Sequence, residues 1–123
     1  MFILTAESFR MSDCLFCKII AGQIPSKKVY EDDKVFAFQD IDPKAPVHYL
    51  IVPRKHIGGL NTASSEDAEI IGYCQLIAAK LGREHKIEDG YRTVYNVGPK
   101  SGQSVFHLHL HLLGGRDLTW PPG

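Results

Sequence analysis

Apolar and polar positions change period several times along the chain, and each change marks an element. Residues 14–21, Cys-Leu-Phe-Cys-Lys-Ile-Ile-Ala, space their apolar positions as a helix does, Leu15 with Ile19 and Phe16 with Ile20, and Gly22 follows as a stop. Residues 28–31 and 35–38 are strand candidates joined by a hairpin turn at Asp32-Asp33-Lys34. Residues 40–46 carry Pro43, Pro46 and an Asp-Pro step and read as a loop; residues 48–52 read as a strand that ends at Pro53. Ser64-Ser-Glu-Asp67 has the form of a capping pattern. Behind it Ile70, Ile71, Cys74, Ile77, Ala78 and Leu81 make one apolar stripe at helical spacing. Acidic residues open this long helix (Glu66, Asp67, Glu69) and basic ones close it (Lys80, Arg83, Lys86), which suits the helix dipole. Residues 91–96 predict a strand, 98–102 a turn, and 104–113 the last strand, stopped by Gly114-Gly115; Trp120-Pro-Pro-Gly123 is an extended tail. Hairpin-linked strands with one long and one short helix predict an α+β fold around a mainly antiparallel five-stranded sheet.

The chain has 123 residues, enough for one core and too few for two. Fourteen basic residues balance fourteen acidic ones, so nothing in the net charge attracts nucleic acid or anionic membranes. No apolar run approaches a membrane span. Residues 1–10 lack the basic start and long apolar stretch of a signal peptide, and residues 1–13 are expected to be a loose tail before a domain over 14–123. Three cysteines are an odd and small set for a disulfide framework, which points to a reducing, cytoplasmic setting.

The candidate chemistry lies in His107-Leu-His109-Leu-His111-Leu-Leu113. Strict alternation sends three imidazoles to one face and the leucines to the other. Such a row fits a solvated face, a metal site or a nucleophilic imidazole between two others. The outer pair stand about 13 Å apart along a strand, too far for three bonds of about 2.0–2.1 Å to one ion. Ser101-Gly102-Gln103-Ser104 places backbone N–H groups, an amide and a hydroxyl beside the row, and Asn96 ends the preceding strand. Neutral donors of this kind suit phosphoryl oxygens. The chain lacks the Walker loop of kinase-like nucleotide binders.

The row, with Gly102-Gln-Ser-Val-Phe106, Trp120-Pro-Pro-Gly123, Cys17-Lys-Ile-Ile20, Ile24-Pro25, Asp40-Ile41, Ala45-Pro46 and His48, resembles the histidine triad (HIT) superfamily and within it the Hint branch of purine nucleoside phosphoramidases. The resemblance runs from about residue 14 to residue 123. It implies hydrolysis of the P–N bond of purine nucleoside 5′-phosphoramidates through a nucleotidyl-histidine, releasing AMP or GMP. By the family pattern His109 attacks phosphorus; His111, Asn96 and Ser104, with Gly102 and the backbone near Gln103, hold the phosphoryl oxygens. His107 and His48 support the nucleophile, and Ser104 relays a proton to the amine. Asp40 takes the ribose hydroxyls, while Phe16, Phe38 and Ile41 enclose the base. The resemblance also implies a homodimer with one continuous sheet, in which Trp120 reaches the partner's site. No cofactor is implied for catalysis. Some bacterial-type members pair a Cys-x-x-Cys with two histidines around a structural zinc; here the corresponding set is Cys14, Cys17, His56 and His107. Two rival functions stay open on the residues: a zinc hydrolase that uses the histidine row as ligands, and a nucleotide-binding adaptor without turnover.

Overall fold

The computed structural model describes residues 13–123; of the expected tail over residues 1–13, all but Asp13 lies outside the described residues. Five strands, β1 (Lys28–Glu31), β2 (Val35–Gln39), β3 (Val47–Pro53), β4 (Tyr91–Val94) and β5 (Leu110–Gly114), form one sheet in the order β1-β2-β3-β5-β4. Every neighbouring pair is antiparallel. Helix α1 (Leu15–Ile20) lies on one face and α2 (Ala68–Glu84) on the other.

The period of two along a strand explains how a single apolar run serves two cores. Val35 and Ala37 of β2 point to the α2 side, where Ile51, Leu110 and Leu112 meet Cys74, Ile77, Ala78 and Leu81. Phe36 and Phe38 point to the other side, where Leu50 and Val52 meet Cys14, Phe16 and Ile19. The run at residues 35–38 is therefore buried at every position. At Gly82 α2 comes close to the sheet: a Cβ there would stand 3.0 Å from the Tyr91 ring. The expected capping box is present: Ser64 and Asp67 bond each other's backbone ahead of a 3-10 turn, Ser65–Asp67, that leads into α2.

Three expectations are corrected. Helix α2 ends at Glu84, and Lys86 sits beyond it with φ +60, so Arg83 is the basic residue of its last turn. Strand β4 stops at Val94, which leaves Asn96 in the connection after it. The last strand is Leu110–Gly114, not residues 104–113. Its ladder starts at Leu110, opposite Ile51, and continuing that register would set Leu108 against Pro53. Proline has no N–H to give, and the Pro53 carbonyl is taken by His107 Nε2 at 2.8 Å. The chain ahead of β5 is tied instead by Leu108 N–H to the Ile57 carbonyl.

Candidate active site and metal cluster

Although only His111 lies within β5, the alternation persists through the extended chain before it. Leu108, Leu110 and Leu112 are buried, and the three imidazoles all turn to the α1 side, where each meets a different set of partners.

His107 is fully buried. Its Nε2–H donates to the Pro53 carbonyl, which leaves Nδ1 as an acceptor facing Cys14 Sγ at 3.4 Å and Cys17 Sγ at 3.5 Å. His56 Nδ1 stands 3.5 Å from Cys17 Sγ. Zinc bonds of about 2.3 Å to sulfur and 2.0–2.1 Å to nitrogen give a tetrahedral S···N edge of about 3.5 Å. One donor atom from each of the four residues lies within 4.8 Å of the others. The donor set thus fits a tetrahedral Cys₂His₂ zinc, and the Pro53 bond holds the His107 ring in the ligating tautomer. Burial lowers the pKa of both imidazoles, His107 to about 4, so both are in the neutral, ligating form at pH 7.

His109 Nδ1 lies 2.7 Å from the His107 carbonyl. A carbonyl only accepts, so Nδ1 carries the proton and Nε2 keeps a free lone pair. Burial lowers this imidazole's pKa, outweighing the carbonyl bond and the charge of Asp40. His109 opens onto a cleft of about 760 Å³ whose walls include Phe16, Phe38, Asp40, Ile41, Asn96, Gly102, Ser104 and His111. The rings of Phe16 and Phe38 meet edge-on at 5.4 Å, and Phe16 meets His109 edge-on at 5.0 Å.

The protons of the third pair follow from the backbone. Lys44 N–H donates to His48 Nδ1 at 3.0 Å, which puts the proton of neutral His48 on Nε2. That Nε2–H donates to His111 Nδ1 at 2.9 Å, so neutral His111 carries its proton on Nε2. Burial keeps both neutral, lowering the His48 pKa and pushing His111 down to about 4. His111 Nε2 is buried without a hydrogen-bond partner. A buried donor with no acceptor is costly, and it belongs to a residue of the cleft wall. Asp40 Oδ2 stands 3.4 Å from His48 Nε2, while its other oxygen accepts from Asp42 N–H.

Not every expected site residue meets in the cleft. His107 faces the cysteines and reaches His109 through its carbonyl, not its ring. His48 touches His111 rather than His109. Gln103 is buried and its amide is tied to backbone groups of Gly58, Val105 and Gly98; it braces the loop. Ile41 lies on the cleft wall yet is fully exposed. Trp120 is 80% exposed; Arg92 lies over its ring and donates to the Thr119 carbonyl. Ile19, Ile24, Leu50 and Val105 also wall the cleft, beyond the residues that the sequence pattern points to. Ile19 was findable, since it follows Phe16 by one helical turn. The row is no three-histidine metal site either, as His109 belongs to neither group of clustered ligand atoms among the described residues.

An antiparallel α+β sheet that holds a neutral, oriented imidazole over a mixed apolar and polar cleft defines a small-ligand site. The HIT domain model matches residues 21–118, and the chain belongs to this family. It is 51% identical over 114 residues to a 14 kDa zinc-binding protein of Zea mays, covering 91% of this chain and 89% of that one. It is 48% identical to an uncharacterized HIT-like protein of Synechococcus elongatus, covering 90% and 97%. Among solved structures, a HIT family hydrolase from Legionella pneumophila superposes with a TM-score of 0.88 at 50% identity, covering 89% of this chain and 99% of that one. No helix among the described residues is long and apolar enough to cross a membrane.

Proposed function

We propose that the domain over residues 14–123 is a Hint-type hydrolase of purine nucleoside 5′-phosphoramidates. The observation that carries this reading is the pairing of two fixed tautomers: a free lone pair on His109 Nε2 and an unpartnered Nε2–H on His111, both on the wall of one cleft. A nucleophile and a donor for developing negative charge are what phosphoryl transfer to nitrogen requires. His109 Nε2 forms a bond to phosphorus as the P–N bond to the amine breaks. The amine leaves with a proton drawn from water through the Ser104 hydroxyl. Water then displaces His109, which regains its lone pair, and AMP or GMP departs. His111, Asn96, Ser104 and the Gly102 backbone meet the phosphoryl oxygens. Asp40 takes the ribose hydroxyls, and Phe16, Phe38 and Ile41 take the purine.

Cys14, Cys17, His56 and His107 would hold a structural zinc, which supplies a tetrahedral crosslink and no chemistry to the reaction. The cysteines are free thiols in the structure, in keeping with a reducing compartment such as the cytoplasm. The test is turnover of an adenosine phosphoramidate by wild type and His109→Ala. The variant should lose on the order of 10³ or more in kcat while still binding AMP, and acid quench should trap a nucleotidyl adduct on the wild type alone. Tight AMP binding by a wild type that turns nothing over would favour an adaptor instead.

A further inference from the structure

We propose that Arg116 is a positioning residue: from outside the cleft it fixes, through the Lys44 backbone, the tautomers of His48 and His111 that present a donor to the phosphoryl group. The proposal rests on the hydrolase reading for what that donor meets; the relay itself belongs to the unliganded protein.

The chain of contacts is continuous. Arg116 Nε and Nη2 both donate to the Lys44 carbonyl, at 3.2 and 3.1 Å. Lys44 N–H donates to His48 Nδ1, and His48 Nε2–H to His111 Nδ1. The chain ends at His111 Nε2, the buried atom without a partner. If the Lys44 N–H drifted away, Asp40 Oδ2 at 3.4 Å would be left as the neighbour that favours the proton on Nε2, and His48 could move its proton to Nδ1 and then accept at Nε2. His111 would have to donate from Nδ1, and its Nε2 would become a lone pair aimed at phosphoryl oxygens. One lost hydrogen bond thereby converts an attractive contact into a repulsive one.

Two features show that Arg116 is placed for this purpose. Residues 41–46, the β2–β3 connection that carries Lys44, join no strand ladder. Inside residues 40–48 they are held by Asp42 N–H to Asp40, the Lys44 ammonium to Asp42, and Lys44 N–H to His48. Among the described residues, Arg116 supplies the hydrogen bonds that reach this connection from the rest of the chain. Second, the turn after β5 is shaped to deliver it. Gly115 has φ +89, and a Cβ there would stand 3.0 Å from Pro46 Cβ. A side chain at residue 115 would thus strain the backbone and push against the very loop that Arg116 clamps. Arg116 makes no ion pair among the described residues, so its guanidinium is committed to backbone carbonyls, those of Lys44 and Asp117.

The test reads the tautomers directly by ¹⁵N-edited NMR of the histidine side chains in unliganded full-length protein, beside steady-state kinetics on an adenosine phosphoramidate. Wild type should show His48 and His111 protonated at Nε2. Arg116→Ala should shift the His48 and His111 nitrogens toward mixed tautomers and lower kcat roughly 10- to 100-fold, the scale of a slightly misplaced catalytic group, with KM little changed. Arg116→Lys, which restores one of the two bonds to Lys44, should recover part of both signals. Unchanged His48 and His111 tautomers in Arg116→Ala overturn the proposal, as does a kcat loss that Arg116→Lys does not relieve. Because the NMR comparison needs no substrate, it decides the relay separately from the phosphoramidate reading.

Discussion

At the residue scale, imidazoles spaced two apart diverge because each meets a different partner. His107 gives its Nε2–H to the carbonyl of Pro53 and keeps Nδ1 for the cysteines. His109 gives its Nδ1–H to the carbonyl of His107 and keeps Nε2 for the cleft. His111 accepts at Nδ1 from His48 and keeps a donor. Burial makes the neutral state of His111 a measurable property of the fold. Its pKa is pushed down to about 4, while an imidazole in the unfolded chain titrates near 6.5. Between those values the unfolded chain binds a proton that the native state refuses, so stability rises with pH there. This contribution is complete above about pH 6.5 and is lost as pH falls toward 4. The urea midpoint should therefore be lower at pH 5 than at pH 7, and the difference should shrink in His111→Asn. Equal pH differences in the two proteins would refute the assignment of that slope to His111.

At the element scale, α1 is the part of the site least able to stand alone. Six residues cannot sustain an isolated helix, and its cap is a weak one, Cys14 Sγ accepting from Cys17 N–H at 3.4 Å. What anchors α1 is Phe16 and Ile19 in the sheet core and the cluster that joins its two cysteines to His56 and His107. We predict one zinc per chain by elemental analysis of untagged protein. Cys14→Ser with Cys17→Ser, or strong chelation, should lower Tm, because binding energy at a structural site is folding energy. The same loss should raise KM for the nucleotide more than it lowers kcat, since α1 carries Phe16 of the base wall. A metal-free protein with both thiols freely titratable would refute the crosslink. Helix α1 also shows what the sequence made legible. Its spacing, the hairpin at residues 32–34, the stripe on α2 and the alternation of the histidine row are local patterns, and they placed two helices and five strands; that Cys14, Cys17, His56 and His107 belong together came from the family resemblance. The late start of β5 was hidden because it is set by pairing with β3, far earlier in the chain. Likewise, that His48 serves His111 and that Gln103 braces a loop follow from tertiary hydrogen bonds that no local spacing encodes.

At the scale of the whole molecule, the two faces of the sheet are covered, and its edges are β1 and β4. Strand β4 lies at the end of the sheet order and, among the described residues, pairs only with β5. An open edge is a template for another strand, and two exposed apolar side chains belong to the segments that contact it. Leu76 on α2 is 67% exposed, and its neighbour Gln75 donates to Thr93 of β4. The tail is drawn to the same edge, since Arg92 of β4 bonds the Thr119 carbonyl and lies over the Trp120 ring. The open edge of β4, the stretch of α2 that carries exposed Leu76, and exposed Trp120 are thereby linked through Gln75–Thr93 and Arg92–Trp120. A second copy meeting this edge about a two-fold axis would pair β4 with β4, oppose α2 to α2 and carry Trp120 toward the other subunit, the self-complementary arrangement that closed dimers use. Sedimentation equilibrium at micromolar concentration should accordingly give a dimer. Leu76→Arg changes a side chain that contributes little to the chain's own core, so Tm of the isolated fold should hold while the dimer dissociation constant rises about tenfold or more, as loss of a central apolar anchor does. A monomeric wild type, or a Leu76→Arg variant that associates as tightly as wild type, would show that the open edge and the exposed leucine do not form the contact.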